Sequence, residues 1–409
     1  MNVPKEALYR FPWSKTDNPG AWIEVTDECD LHCPGCYRHR LEGHRPLDEL
    51  KRDVLTLRST LNCERIAIAG GEPLLYPRIV ELVDFIARQG MKPMILTNGE
   101  RLTPELASRL KKAGLKLVLF HVDSGQQRPG WENKTEAEMN GLRQKFADLL
   151  WEIGGLQCGY NITIFPRTLS SIPDIISWAR ANIHKVQHVS LISFRSILLH
   201  HDWTYEVNGR PIDTGKFQCV TSHPEDLSVS TEKMADIIIS RFADTTPCAY
   251  LGGTTSPETC KFLIFLVLGT KNRIYGSLGP KTVELVQVLY HLAKGHYYSF
   301  QDNPALGKKV FLLGPADRDV RQSWFRFLKA FVRNPGAALE KIYVQCINVQ
   351  QPNETLNGKI NLCDGCLNMM LYRGQLIPSC QLDEYRLFGG PIEPRRPKIE
   401  EAPRPQPGL

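Results

Sequence analysis

Seven of the twelve cysteines in this 409-residue chain fall into two tight groups: Cys29, Cys33 and Cys36, and Cys346, Cys363, Cys366 and Cys380. In a reducing compartment such clustering favours metal ligation over disulfides. The first group, "CDLHCPGC", is spaced C-x3-C-x2-C. Three thiolates on so short a loop suit two chemistries. They can hold three irons of a four-iron cluster and leave the fourth iron open to a small ligand. They can instead hold a structural zinc, with His32, His39 or His44 as the fourth ligand. Cys63, Cys158, Cys219, Cys248 and Cys260 stand alone and read as buried or incidental thiols.

Polar and glycine-containing turns follow the next apolar runs. In "AGGEP" (69–73) two glycines let the backbone approach a ligand closely, and Glu72 offers a carboxylate to an ammonium group. "TNG" (97–99) and "HVDSG" (121–125) add hydroxyl and carboxylate groups suited to a ribose and an amino acid.

These residues need a scaffold that brings them to one face. "WIEV" (22–25), "RIAIA" (65–69), "PMILT" (93–97), "LKLVLFHV" (115–122), "CGYNITIF" (158–165) and "HVSLISF" (188–194) read as strands buried on both faces. Between them Leu47, Leu50, Val54, Leu57 and Leu61 step by three and four, as do Ile79, Leu82, Val83 and Ile86. Gly90 and Gly114 mark helix ends; Thr103–Pro104 and Thr135 with Glu138 mark helix starts. Six βα units in series predict an α/β fold: a partial (β/α)6 TIM-like barrel with functional residues at the C-terminal ends of its strands. We divide the chain into an N-terminal segment (1–21), the barrel (22–200), an insertion (201–340), a C-terminal cysteine domain (341–390) and a proline-rich disordered tail (391–409). Within the insertion, 200–219 reads as a loop or hairpin and 282–294 and 319–333 as helices.

Composition narrows the class. With 42% hydrophobic and 23% charged residues the chain can build a sizeable soluble core. Its longest apolar run, "FLIFLVLG" (262–269), is too short to span a bilayer, and the N-terminus lacks a signal-peptide core. A net charge of +6 is too mild to indicate a nucleic-acid binder. The expected location is the cytoplasm.

Residues 20–200, through the cysteine spacing, the Gly-Gly-Glu turn and the strand-end residues after it, resemble the radical S-adenosylmethionine (SAM) superfamily. The resemblance implies that Cys29, Cys33 and Cys36 bind a [4Fe–4S] cluster whose open iron is chelated by SAM. It implies reductive cleavage of SAM to a 5′-deoxyadenosyl radical that abstracts hydrogen from an unactivated carbon, with flavodoxin or ferredoxin as electron donor. It assigns Gly70, Gly71 and Glu72 to the methionine amine. Thr97, Asn98 and Ser124 fall to the carboxylate end or the ribose, Asp123 and Asn161 to the ribose, and Leu191 or Ile192 to the adenine. One departure stands out: Gly35 occupies the position before the third cysteine where the family usually has an aromatic residue, leaving Tyr37 as the available substitute.

The later cysteines form C-x2-C-x13-C, with sixteen residues between Cys346 and Cys363. This resembles the auxiliary cluster of the enzyme that begins molybdenum-cofactor synthesis and, more loosely, SPASM and twitch extensions. The implied ligands of a second, auxiliary [4Fe–4S] cluster are Cys363, Cys366 and Cys380, with Cys346 either closing the cluster or standing outside it. A four-cysteine zinc site is the alternative. That enzyme's C-terminal glycine pair is absent.

Three functions follow. The leading one is radical chemistry on a lipid-like apolar substrate. In "RDVRQSWFRFLKAFVRNPG", Trp324, Phe327, Leu328 and Phe331 share a helical face beside Arg321, Arg326, Lys329 and Arg333, which suits peripheral contact with the inner membrane surface or packing on the protein's own core. "GRPIDTGKFQC" and "NLCDGC" also resemble archaeal tetraether-lipid synthases. His200, His201, Trp203 and Tyr205 follow the sixth strand, where substrate would sit. The second function is modification of a ribosomally made peptide, though the 1–21 segment is too short for a peptide-recognition domain. The third is a non-catalytic, zinc-stabilised binding protein.

Overall fold

A computed structural model of the chain describes residues 4–34, 36, 38–39, 43–194, 197–198, 203–216, 220–221, 229–300, 307–313, 316–356 and 359–395. After a short edge strand, β1 (Tyr9–Arg10), the six expected strands form: β2 (Gly20–Thr26), β3 (Arg65–Gly70), β4 (Lys92–Thr97), β5 (Leu117–His121), β6 (Gln157–Ile164) and β7 (His188–Ser193). They pair in sequence order and all in parallel. The connections carry α1 (Leu47–Thr60), α2 (Ile79–Arg88), α3 (Pro104–Lys112), α4 (Asn140–Ile153) and α5 (Ile172–Ala181).

The helices take one face of the sheet because strand residues alternate. Ile66, Ile68, Val118 and Phe120 pack outward with Leu50, Val54, Leu57, Leu82 and Ile86 in one buried core. Ala67, Ala69, Leu117 and Leu119 point to the opposite, inner face. Each large aliphatic side chain sealed in this way contributes about 1.5–3 kcal/mol. Thr103 caps α3 by accepting from the Leu106 amide at 3.2 Å, and Gly90 and Gly114 follow α2 and α3 at φ +78° and +104°.

The sheet does not stop at six strands. Beyond β7 it continues through β11 (Tyr343–Gln350), β9 (Phe262–Gly269), β8 (Pro247–Leu251) and β1, with β10 (Ile274–Leu278) also on β9. Beyond β2 it continues through β12 (Met369–Tyr372) and β13 (Gln375–Pro378). Among the described residues the path of this thirteen-stranded sheet does not close on itself. Segments 201–340 and 341–390 thus both supply strands to the sheet of 22–200. "FLIFLVLG" is β9, a core strand buried along its length between β8 and β11.

The 200–219 region contains the hairpin Thr204–Val207 with Arg210–Pro211, turning on Asn208 and Gly209, both at positive φ, and Glu393–Arg395 adds a third strand. The remaining helices are α6 (Thr231–Arg241), α7 (Pro280–Lys294), α8 (Arg318–Arg333) and α9 (Leu382–Phe388). Gly35, Tyr37, His200, His201, Cys219 and the tail from 396 lie outside the described residues.

Candidate active site and second cysteine site

The cysteine loop leaves the C-terminal end of β2 and lies directly against the Gly-Gly-Glu turn that ends β3. The Gly71 amide donates to the Thr26 carbonyl at 2.8 Å and the Glu72 amide to the Glu28 carbonyl at 2.7 Å. The two glycines are demanded by this contact. Gly70 sits at φ +141°, and a Cβ there would fall 2.1 Å from Thr26 O; one on Gly71 would fall 2.3 Å from Glu28 O. Cys29 is the next residue along.

Glu72 is fully buried. Its Oε1 accepts from Thr97 Oγ1 at 2.6 Å and from the Leu74 amide at 2.9 Å, and its Oε2 from the Asn98 amide at 2.7 Å. Burial pushes its carboxyl up to about 7 against the pull of these donors. Both oxygens are thus engaged inside the protein, so Glu72 acts as a strut joining the turn after β3 to the turn after β4. Asn98 extends the strut: its side-chain amide donates to Asp30 at 2.8 Å and faces Cys29 Sγ at 3.9 Å. Arg101 holds the other oxygen of Asp30 at 2.8 Å.

At the end of β5, Asp123 is buried and tied up internally. Its Oδ2 lies 2.8 Å from His121 Nε2 and accepts from the Thr163 amide at 3.1 Å. Burial alone would raise its carboxyl, but His121 and Thr163 outweigh it and hold Asp123 below the usual carboxylate range. His121, half-exposed, is the residue that faces the open space; Ser124 and Asn161 are partly exposed beside it. The sequence reading singled out Asp123 in "HVDSG" and passed over the histidine two residues before it, which strand alternation puts on the same side. It also missed Arg128, whose buried guanidinium donates to the carbonyls of Asn98 (2.5 Å) and His121 (2.7 Å) and to Glu100 (2.8 Å), stitching β4 to β5. Leu191 requires correction. Its side chain is fully buried in the helix-facing core, and its neighbour Ile192, partly exposed, takes the inner face.

Cys29, Cys33 and Cys36 lie within one another's electrostatic reach, and Cys33 also feels Asp123 and Arg128. Burial pushes the Cys33 thiol up to about 12. Among the described residues no three His, Cys, Asp or Glu side chains converge as a single ion requires. A four-iron cube gives each thiolate its own iron and spreads its ligands wider. Two proposed zinc partners are engaged elsewhere: His44 Nδ1 with Thr26 Oγ1 at 2.8 Å, and His39 Nε2 with the Lys216 carbonyl at 2.9 Å.

In the second group, the β12–β13 hairpin returns Cys380 beside Cys366, with the Ser379 amide donating to the Asn368 carbonyl at 2.8 Å. Cys363 bridges Gly253, and Gly365 lies so close to Trp13 that a Cβ would fall 2.7 Å from its carbonyl oxygen. Cys363, Cys366 and Cys380 act on one another electrostatically. Cys346 does not join them. It sits on β11, paired with Leu266 and His188, buried in a separate core with Cys248. Cys260, read as incidental, has its thiol pushed up to about 12, chiefly by burial, with Cys363 a minor contributor.

A buried network links the two cysteine sites. Arg38, two residues after Cys36, donates to the carbonyl of Ser379, the residue before Cys380, at 3.2 Å. It pairs with Glu24 and lies 3.8 Å from Asp383, which is also 3.5 Å from His39.

Residues 23–179 match the family model described as the radical SAM superfamily. The chain carries a radical SAM domain. It runs from β2 into α5 and contains the first cysteine group, the Gly-Gly-Glu turn and the His121–Asp123 pair. Over 170 residues the chain is 26% identical to the probable GTP 3′,8-cyclase of Methanocaldococcus jannaschii, covering 39% of this chain and 54% of that protein. Over 172 residues it is 27% identical to the AdoMet-dependent heme synthase of Methanosarcina barkeri, covering 39% and 46%. The chain thus spans about half the length of the curated relatives it matches. Among solved structures, Streptococcus suis SuiB bound to S-adenosylmethionine aligns at 16% identity over 55% of this chain and 49% of that one, with a TM-score of 0.39. Radical SAM proteins use a [4Fe–4S] cluster and SAM, and their turnover needs an external reductant. The three thiols of the first group and the adjoining glycine turn fit that pair of cofactors. No helix among the described residues is long and apolar enough to cross a membrane.

Proposed function

We propose that this chain is a radical SAM enzyme in which Cys29, Cys33 and Cys36 hold a [4Fe–4S] cluster and SAM lies between it and the Gly70–Gly71 turn. The observation that carries this reading is the backbone contact of that turn with the cysteine loop at Thr26 and Glu28, which leaves one small molecule able to touch both. When loaded, the cofactors supply an electron to SAM and a 5′-deoxyadenosyl radical that takes hydrogen from an unactivated carbon. The protein's own part is placement. Glu72 fixes the glycine turn against β4, Asn98 orients Asp30 beside Cys29, and Asp123 holds the half-exposed His121 by its Nε2. A second cluster is held by Cys363, Cys366 and Cys380, with Cys346 outside it.

The leading substrate is a lipid-like molecule with a polar end. The inner wall at the strand ends offers His121, Asn161, Thr163 and Gln350 to polar groups, and the exposed apolar side chains of α7 and α8 suit a protein that meets lipid. The relatives' names point to GTP and to haem and so do not converge on one substrate class. The electron donor is a flavodoxin or ferredoxin, and the setting is cytoplasmic. Anaerobic reconstitution tests the reading: wild type binds two clusters, and Cys29→Ala/Cys33→Ala/Cys36→Ala binds one and yields no 5′-deoxyadenosine. Iron content unchanged by those substitutions would overturn it. Deuterium passing from deuterated lipid into 5′-deoxyadenosine identifies the substrate class; deuterium passing only from a peptide rejects it.

A further inference from the structure

α8 carries two apolar faces, and folding uses only one. Val320, Ser323 and Ala330 are buried, Phe327 packs edge-on against Tyr275 with ring centroids 5.4 Å apart, and Ser323 Oγ donates to the Ser277 carbonyl at 3.2 Å. At 100° per residue, Trp324, Phe325, Leu328, Phe331 and Val332 form a second row about a third of a turn away. Trp324, Phe325, Phe331 and Val332 are 37%, 57%, 38% and 79% exposed. All the exposed large apolar side chains among the described residues, Leu55 and Trp151 excepted, fall between residues 288 and 339. A surface of this kind marks an interaction site.

Charge selects the partner. Residues 320–339 contain no Asp or Glu, while exposed Arg321, Lys329 and Arg333 flank the row. Two copies meeting through this face about a two-fold axis would set those cations against their own kind, with no acid in the stretch to separate them. An anionic headgroup layer instead meets the cations, while Trp324 and the phenylalanines enter the acyl boundary. We propose that α8 lies flat on an anionic lipid bilayer and docks the protein there through Trp324, Phe325, Phe331 and Val332. The inference rests on α8 alone and does not depend on the cysteine chemistry.

The test is co-sedimentation of the full reconstituted chain with vesicles of equal parts phosphatidylglycerol and phosphatidylcholine. Wild type pellets with these vesicles, less so at high salt and less with phosphatidylcholine alone. Phe325→Asp/Val332→Asp alters only exposed positions and lowers the bound fraction by about tenfold or more, with circular dichroism and SAM cleavage in solution unchanged. Wild type that stays in the supernatant would overturn the proposal. So would a variant that still pellets, or a wild-type dimer in sedimentation velocity that the variant converts to monomer, since that result seats a second copy on the row.

Discussion

A carboxylate shut away from water is disfavoured in its charged form, and Glu72 shows what that means for pH. Burial lifts its carboxyl from 4.5 to about 7 despite three donors. Between those values the folded chain keeps a proton that the unfolded chain has lost, so the folded state binds more protons and stability falls as pH rises through the window. The full effect is on the order of 3 kcal/mol, and it is flat above the upper value. Glu72→Gln removes this slope: wild type loses stability relative to the variant across the window, seen in urea midpoints measured on either side of it. The sequence reading placed Glu72 in the site, but its role was not legible. Nothing in "AGGEP" shows that Thr97 and Asn98, a whole βα unit away, occupy both oxygens. Asp123 and His121 repeat the lesson. Residue type locates the strand end, whereas burial, a property of the packed fold, decides which of two polar neighbours faces the ligand.

Elements place these residues, and their close contacts set the sharpest expectations. Gly71→Ala drives a methyl into the Glu28 carbonyl, so the cysteine loop must move off the turn. The expected cost is about 3 kcal/mol, read as a lowered melting temperature, and SAM affinity falls with it in equilibrium dialysis. In the second site, Cys363→Ala/Cys366→Ala removes one cluster's iron and Cys346→Ala removes none, by anaerobic iron and sulfide assay. Arg38→Met cuts the link from the first cysteine loop to Ser379 and leaves Glu24 and Asp383 buried without its charge. Its expected signature is a changed paramagnetic resonance spectrum of the first cluster with both clusters still bound. The six core strands were legible as β-branched runs and the helices as three-and-four repeats. The phase of β7 was legible too, though it was not used: in "HVSLIS" His188 and Ser190 alternate with Val189 and Leu191, which puts Leu191 on the apolar, helix-facing side and Ile192 on the polar one. Cys346 misled for a different reason. Its spacing fits a ligand set, but β11 pairs with partners more than seventy residues away, and that register carries the thiol into another core.

For the molecule as a whole, the sequence divided what the sheet unites. Composition and turn signals separate an insertion and a cysteine domain from the barrel, because periodicity reports that a strand is buried and never which neighbour buries it. The outcome is a parallel core flanked on one side by β11 and β9 and on the other by β12 and β13. Of those flanks, β11, β12 and β13 leave the ribosome only after the whole parallel core from β2 to β7. While residues beyond 342 are still unmade, the rims of β2 and β7 stand bare, with backbone donors and acceptors seeking any passing strand. The nascent protein therefore passes through an adhesive half-product, and a stop codon placed ahead of Tyr343 should send it to the insoluble fraction even though all six strands of the parallel core have already been translated.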